Sequence, residues 1–329
     1  MTLRIVGTLV AAGLLLFLCP ACAHTPYWGA LDRSLPPPAL ARPEIAAFAY
    51  ARTRGSVELE KLQDESDYTI CKVKFRVLDF AELRAKVGSA FYFAQKKPGK
   101  SPVLLCLPQT GGPMSLVKGF AEYYAQHGFT TMAFYRREGF FNPAEDLEYN
   151  VDLIRQSVID VRRAIDFLQT QPEADPDRIA VMGVSLGGII AALATEADGR
   201  IKATGMLVSA GDLPLILEKS HYERVVRFRN GMMKRCHLDT CDDLVHFAQA
   251  SMRQVDPATY ADRVDPARLL MINGYQDNII NIHAALETWK AFGKPEWRTL
   301  PVGHYSSFAL VDLARRWTLE HFQRVLGAS

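Results

Sequence analysis

Short apolar runs alternate along this chain with longer stretches whose apolar residues recur every three or four positions. Residues 57–62 and 68–77 read as strands, the second through the alternation Ile70, Lys72, Val73, Lys74, Phe75, Arg76. Strands follow at 90–94 and 103–107, divided by the turn-prone Lys97-Pro98-Gly99-Lys100. Another spans 129–135, after a helix that ends near His127-Gly128. The clearest helix carries Leu147, Val151, Ile154, Val158, Val161, Ile165 and Leu168, which make one continuous stripe. Asn142-Pro143 upstream predicts its N-cap and first helical residue. A strand at 178–182 then runs into a helix at 189–194. Further strands are expected at 201–208, 268–273 and 297–301, with a last helix from about Ser307. Strand and helix in alternation predict an α/β fold, a mainly parallel central sheet with helices on both faces.

Residues 212–266 break that rhythm with a longer, more charged and less periodic stretch between two strands. An insertion there is placed to form a cap over a site at the carboxyl edge of the sheet. Within it, over residues 219–235, Lys219, Arg224, Arg227, Arg229, Lys234 and Arg235 stand against Glu223 alone. The simpler reading is a solvated helix face, the sharper one a field for an acidic substrate.

Composition narrows the class. The chain has 329 residues, 49% hydrophobic and 22% charged, which excludes a disordered, collagen-like or disulfide-dense protein. With a net charge of +2, nucleic-acid binding has little electrostatic support. At the N-terminus Arg4 precedes an apolar run over 5–19, then Pro20 and Ala21-Cys22-Ala23. That order predicts a signal peptide over 1–23 and export to the periplasm or medium; the run falls short of the about 20 residues of a bilayer span. A second reading lipidates Cys22 and attaches the protein to a membrane, although Cys19 and Pro20 suit that pattern poorly. Residues 24–55, with Pro36-Pro37-Pro38 and Pro43, are expected to form a leader over the body. Export leaves Cys71, Cys106, Cys236 and Cys241 in an oxidising compartment, where Cys236 with Cys241, and Cys71 with Cys106, are candidate bridges.

The candidate chemistry converges on Ser185. Gly183-Val184-Ser185-Leu186-Gly187, followed by Gly188, lies between an apolar strand and a helix of small residues. A nucleophilic serine needs that setting, because the turn is so sharp that only small neighbours avoid clashes. A serine hydroxyl also needs a positioned base, and His304 in Val302-Gly303-His304-Tyr305 follows the last strand. The orienting carboxylate is assigned to Asp277, just past the strand 268–273, with Asp212 as its competitor after the preceding strand.

The order Ser185, Asp277, His304 is that of the α/β-hydrolases, and the chain resembles that superfamily from about Val57 to its end. Asp175-Pro176-Asp177-Arg178-Ile179, ahead of the serine, resembles the dienelactone-hydrolase and prolyl-oligopeptidase-like branches. The resemblance implies an α/β-hydrolase fold with core residues 56–211 and 267–329 and the cap at 212–266. It also implies two oxyanion donors, the backbone N–H of Leu186 just after the serine and that of Thr110 on a loop where Pro108-Gln109 replaces the His-Gly of many relatives. The expected activity is an exported serine hydrolase that cleaves a small-molecule carboxylic ester, with no metal or organic cofactor implied. A prolyl-oligopeptidase-like serine peptidase and a non-catalytic envelope protein on a hydrolase scaffold are the alternatives.

Overall fold

All seven residues of β4 (Ser101–Leu107) are buried, as expected for a strand covered on both faces. A computed structural model of the protein describes residues 45–50, 57–79 and 84–328. The expected signal peptide, Cys22 and most of the leader lie outside the described residues.

Among the described residues, β4 belongs to a nine-stranded sheet. Its other members are β1 (Val57–Asp64), β2 (Tyr68–Asp79), β3 (Arg84–Gln95), β5 (Thr130–Phe134), β6 (Ala174–Val184), β7 (Ile201–Leu207), β8 (Leu269–Gly274) and β9 (Glu296–Leu300). The spatial order is β1-β2-β3-β5-β4-β6-β7-β8-β9. The first three strands form an antiparallel meander, and β3 joins β5 antiparallel. From β5 onward every pairing is parallel. The carboxyl ends of the parallel strands therefore share one edge, where α/β folds place their sites.

Two apolar layers cover the sheet. On one face α2 (Leu147–Leu168), α3 (Leu186–Ala197) and α7 (Ile282–Ala291) pack with Leu105, Val181 and Met271. On the other, α1 (Ser115–Gln126) and α8 (Val311–Leu326) pack with Leu104, Met182 and Leu270. The alternation of neighbours Leu104 and Leu105 is the period-two geometry of a strand.

The stripe from Leu147 to Leu168 is buried as the periodicity predicts, but α2 starts later than Asn142-Pro143 implies. Its N-cap is Asp146, whose side chain accepts from the Tyr149 N–H at 2.9 Å. Asn142 instead accepts from the Ala144 N–H at 3.1 Å, closing a separate turn. That local side-chain bond competes with helix and delays it by one turn.

The candidate disulfides are absent: Cys71, Cys106, Cys236 and Cys241 are free thiols. Cys106 belongs to the layer of α1 and α8, while Cys71 packs against the opposite layer, so the sheet lies between them. Cys236 ends α5 (Glu223–Cys236) and Cys241 begins α6 (Cys241–Met252), with the left-handed His237 turning the chain between them.

Residues 212–266 contain α4 (Leu213–Lys219), α5, α6 and a run of 3-10 turns. The basic residues of α5 differ in role. Arg227 is exposed and pairs with Glu223. Arg229 donates to the carbonyls of Leu217 at 3.2 Å and Ser220 at 3.4 Å, and to that of Glu218. Arg235 donates to the Glu145 carbonyl at 2.5 Å and to that of Pro143. Arg229 thus satisfies the carbonyl end of α4, and Arg235 fastens α5 to the loop before α2.

Candidate active site

Ser185 sits at the tip of the turn from β6 into α3, with φ 56° and ψ −122°. A non-glycine residue in that region is strained and persists only where its surroundings hold it. Here the surroundings do so tightly. A methyl group on Gly183 would lie 2.0 Å from the Gly187 carbonyl, and one on Gly187 would lie 2.4 Å from the Leu107 carbonyl oxygen. The glycines are required because backbone meets backbone on both sides of the serine.

The acid and base loops leave adjacent parallel strands. Tyr275 N–H donates to the Leu300 carbonyl at 2.8 Å and Gln276 N–H to that of Val302 at 3.1 Å, zipping the loop after β8 to the loop after β9. This brings Asp277 beside His304 and turns both toward the serine. His304 Nδ1–H donates to Asp277 Oδ2 at 2.7 Å, and Ser185 Oγ–H donates to His304 Nε2 at 3.1 Å. The carboxylate fixes this tautomer, because it can only accept. Asp277 Oδ1 accepts from the N–H groups of Ile279 and Ile280 at 2.8 and 2.9 Å. Ser185, Asp277 and His304 are 6%, 7% and 7% exposed, so the relay is largely shielded from water.

Asp212, the competing acid, is turned elsewhere. Its carboxylate caps α4 by accepting from the Leu215 N–H at 3.4 Å. Asp256, which the sequence did not single out, accepts from the N–H groups of Asp212 and Leu213 at 3.0 and 2.7 Å and fixes that entry into the cap. Burial raises its pKa against the pull of these amides.

Leu186 is the first residue of α3, so its N–H has no acceptor inside the helix and lies at the positive end of the helix dipole. Thr110 lines the same cavity as Ser185. Its loop is braced from two directions: Gln109 Nε2 donates to the Pro113 carbonyl at 3.2 Å, and Arg136 Nη1 to that of Gly112 at 2.8 Å. Arg136 comes from the loop after β5 and carried no motif that would have marked it.

The cavity beside Ser185 has a volume of about 50 Å³, and its walls include Ile154, Leu213, Ile216, Met252 and Ile279. An outer groove of about 530 Å³ runs past Arg224 and Arg227. Phe140, Phe141 and Tyr222 line both spaces. A methyl group on Gly111 would come within 2.7 Å of the Tyr222 hydroxyl, so the cap's tyrosine lies directly on the loop that carries Thr110. Tyr222, Leu213, Ile216 and Met252 fall in the expected cap at 212–266, but no motif in the sequence marks them individually as cavity walls.

A buried serine, histidine and aspartate thus meet in hydrogen-bonded sequence at the carboxyl edge of a parallel sheet, an arrangement able to pair a nucleophile with a base and an orienting carboxylate. Residues 89–208 match the dienelactone hydrolase family, and residues 161–308 match the C-terminal domain of the BAAT and acyl-CoA thioester hydrolases. The chain belongs to the α/β-hydrolase superfamily.

An uncharacterised protein of Pseudomonas aeruginosa is 28% identical over 193 residues, which are 55% of this chain and 49% of that protein. A thiohydrolase of Arthrinium phaeospermum is 31% identical over 141 residues, 40% of each chain. The matches thus span about half, or less, of these curated relatives. Among solved structures, acetyl xylan esterase 1 from Thermoanaerobacterium sp. JW/SL YS485 superposes with a TM-score of 0.63 at 19% identity, over 82% of this chain and 89% of that one. The Pyrococcus horikoshii acylaminoacyl peptidase does so with a TM-score of 0.59 at 15% identity, over 84% of this chain and 49% of that one. At such identities the likeness is one of fold.

Proposed function

We propose that this chain is an exported serine hydrolase that cleaves carboxylic esters of small molecules through an acyl-enzyme. The observation that carries the reading is the hydrogen-bonded sequence Ser185, His304, Asp277, buried at the strand edge. In this mechanism Ser185 Oγ attacks the ester carbonyl while His304 Nε2 takes its proton. The imidazolium is stabilised by Asp277, and the backbone N–H groups of Leu186 and Thr110 receive the developing oxyanion. His304 then returns the proton to the departing alkoxide, and water, activated by the same base, releases the acid. Support for an ester comes from the nearly apolar cavity beside the serine, which suits an acyl group. It also comes from the names of a matched family and a fold neighbour, dienelactone hydrolase and acetyl xylan esterase. Export rests on the signal-peptide pattern of residues 1–23. The test is labelling by a fluorophosphonate together with hydrolysis of 4-nitrophenyl esters. Both are expected in the native protein and absent in Ser185→Ala with its melting temperature unchanged; ester hydrolysis retained by that variant overturns the mechanism.

A further inference from the structure

Phe141 holds an unusual backbone conformation at the boundary between the two spaces that meet near Ser185. Its φ is 55°, in the left-handed region that a bulky aromatic residue rarely adopts. Asn150, 1% exposed on α2, holds it there: Asn150 Oδ1 accepts from the Phe141 N–H at 2.8 Å, and Asn150 Nδ2 donates to the Asp146 carbonyl at 3.2 Å. Both ends of that amide are therefore committed to backbone. On the cap side, the Phe141 ring meets Phe228 of α5 edge-on, with centroids 6.0 Å apart and planes at 66°. Strain maintained from both sides points to a function for the position of the side chain.

The cavities supply that function. Phe141 is a wall shared by the inner cavity, which contains Ser185, and the outer groove. The inner cavity, at about 50 Å³, has room for only a few water-sized groups at about 10–15 Å³ each. The groove beyond is about ten times larger. A short chain bound beside Ser185 fits the inner space, and a longer one has to pass the walls that the two spaces share, Phe140, Phe141 and Tyr222, of which Phe141 alone is held in a strained conformation. We propose that Phe141, positioned by Asn150, sets the length limit of the acyl group, so that the enzyme selects esters of short aliphatic acids. The inference rests on the ester-hydrolase reading for its substrate class, but the partition itself is a property of the cavities.

The experiment joins turnover with binding. Against 4-nitrophenyl acetate, butyrate, hexanoate and octanoate, the native protein is expected to lose kcat/KM steeply beyond butyrate. In Phe141→Gly the loss moves to longer chains, and the octanoate ester gains at least about tenfold, mainly through KM, while the acetate ester changes little. Phe141→Leu, which keeps most of the side chain, retains the native limit. Asn150→Leu, lacking the acceptor for the Phe141 N–H, blurs the limit without changing fluorophosphonate labelling. Glycine accepts the left-handed conformation without strain, so Phe141→Gly is expected to melt no lower than about 5 °C below the native protein. In the Ser185→Ala background, ligand-observed NMR with butanamide and octanamide reads the partition without turnover. Octanamide binds only when Phe141→Gly is added, whereas butanamide binds either way. An unchanged ester profile with unchanged octanamide binding overturns the proposal. No turnover of any ester, with the amide result as expected, removes the esterase reading and leaves the length limit standing.

Discussion

Asp277 divides its carboxylate between two tasks: Oδ2 accepts from His304 Nδ1–H at 2.7 Å, while Oδ1 is held by the backbone of Ile279 and Ile280. Asp277 is thus fixed in place independently of its bond to His304. Asp277→Asn offers an amide where the imidazole needs an acceptor, and kcat is expected to fall by about 10⁴-fold, as for the equivalent change in other triads. Asp212→Asn should leave kcat within about twofold, because that side chain is bound to the N-terminus of α4. Steady-state rates on one ester decide between them; a larger loss in the Asp212 variant would reassign the acid.

The Gly187 contact with the Leu107 carbonyl leads to a second expectation. In Gly187→Ala the added methyl meets two backbone carbonyls, those of Leu107 and Pro108, at 2.4 and 2.7 Å, and neither can rotate away. The elbow must move, so fluorophosphonate labelling should drop by at least about tenfold even in folded protein. Native labelling kinetics in a soluble Gly187→Ala variant would contradict this account of the turn.

Arg136 reaches the loop that carries Thr110 through the Gly112 carbonyl. Removing the guanidinium leaves the candidate oxyanion donor less well positioned. Arg136→Ala should lower kcat by about tenfold with a smaller change in KM, less than the about 10²–10³-fold expected on loss of a donor outright. The affinity of a boronic acid that mimics the tetrahedral intermediate should fall in parallel. Equal losses in kcat and in the melting temperature of the whole protein would mark a purely structural role.

Within α5, Arg229 and Arg227 should separate cleanly. Arg229 satisfies carbonyls at the end of α4, so Arg229→Ala is expected to cost about 1–2 kcal/mol of stability. Arg227 is exposed and pairs with the likewise exposed Glu223, and Arg227→Ala should change stability by less than about 0.5 kcal/mol. Denaturant unfolding of the two variants measures the difference.

Glu196, near the end of α3, is 4% exposed, and neither carboxylate oxygen has a partner among the described residues. Burial, with a further push from Asp256 and against the pull of Arg263, holds its pKa well above the usual carboxylate range. The folded state therefore keeps a proton that the unfolded chain releases near pH 4.3 (about). Stability is full below that value and is lost as pH rises, about tenfold in the folding equilibrium per pH unit, until the folded pKa is passed. Glu196→Gln, which cannot ionise, should match the native protein near about pH 4 and exceed it progressively toward about pH 7. Melting temperatures across that range test the sign; a constant offset would mean the group does not titrate on unfolding.

Much of the sheet was legible because its strands are buried on both faces, as in β4, or alternate, as in β2. The elbow was legible for a related reason, since backbone crowding around Ser185 leaves glycine as the workable neighbour. The start of α2 was not, because Asn142 and Asp146 are both good capping residues and only tertiary packing chooses between them. The cap also resisted reading. In α5 only Val225, Phe228 and Met232 are buried, so its apolar stripe is thin and its basic residues obscure it. The left-handed Phe141 leaves no mark in the sequence at all, because its partner Asn150 reaches it from the next helix.

The backbone bond from His221 N–H to the Asn278 carbonyl, at 3.0 Å, joins the segment before α5 to the loop that carries Asp277. Residues 212–266 are consequently a poor unit for recombination with a relative. A transplanted cap that lacked this stitch would arrive with its own register against the acid loop, and the recipient's His304 would inherit the mismatch. The exchangeable cassette runs from the end of β7 through Ile280, so new pocket walls and a matched acid loop travel together.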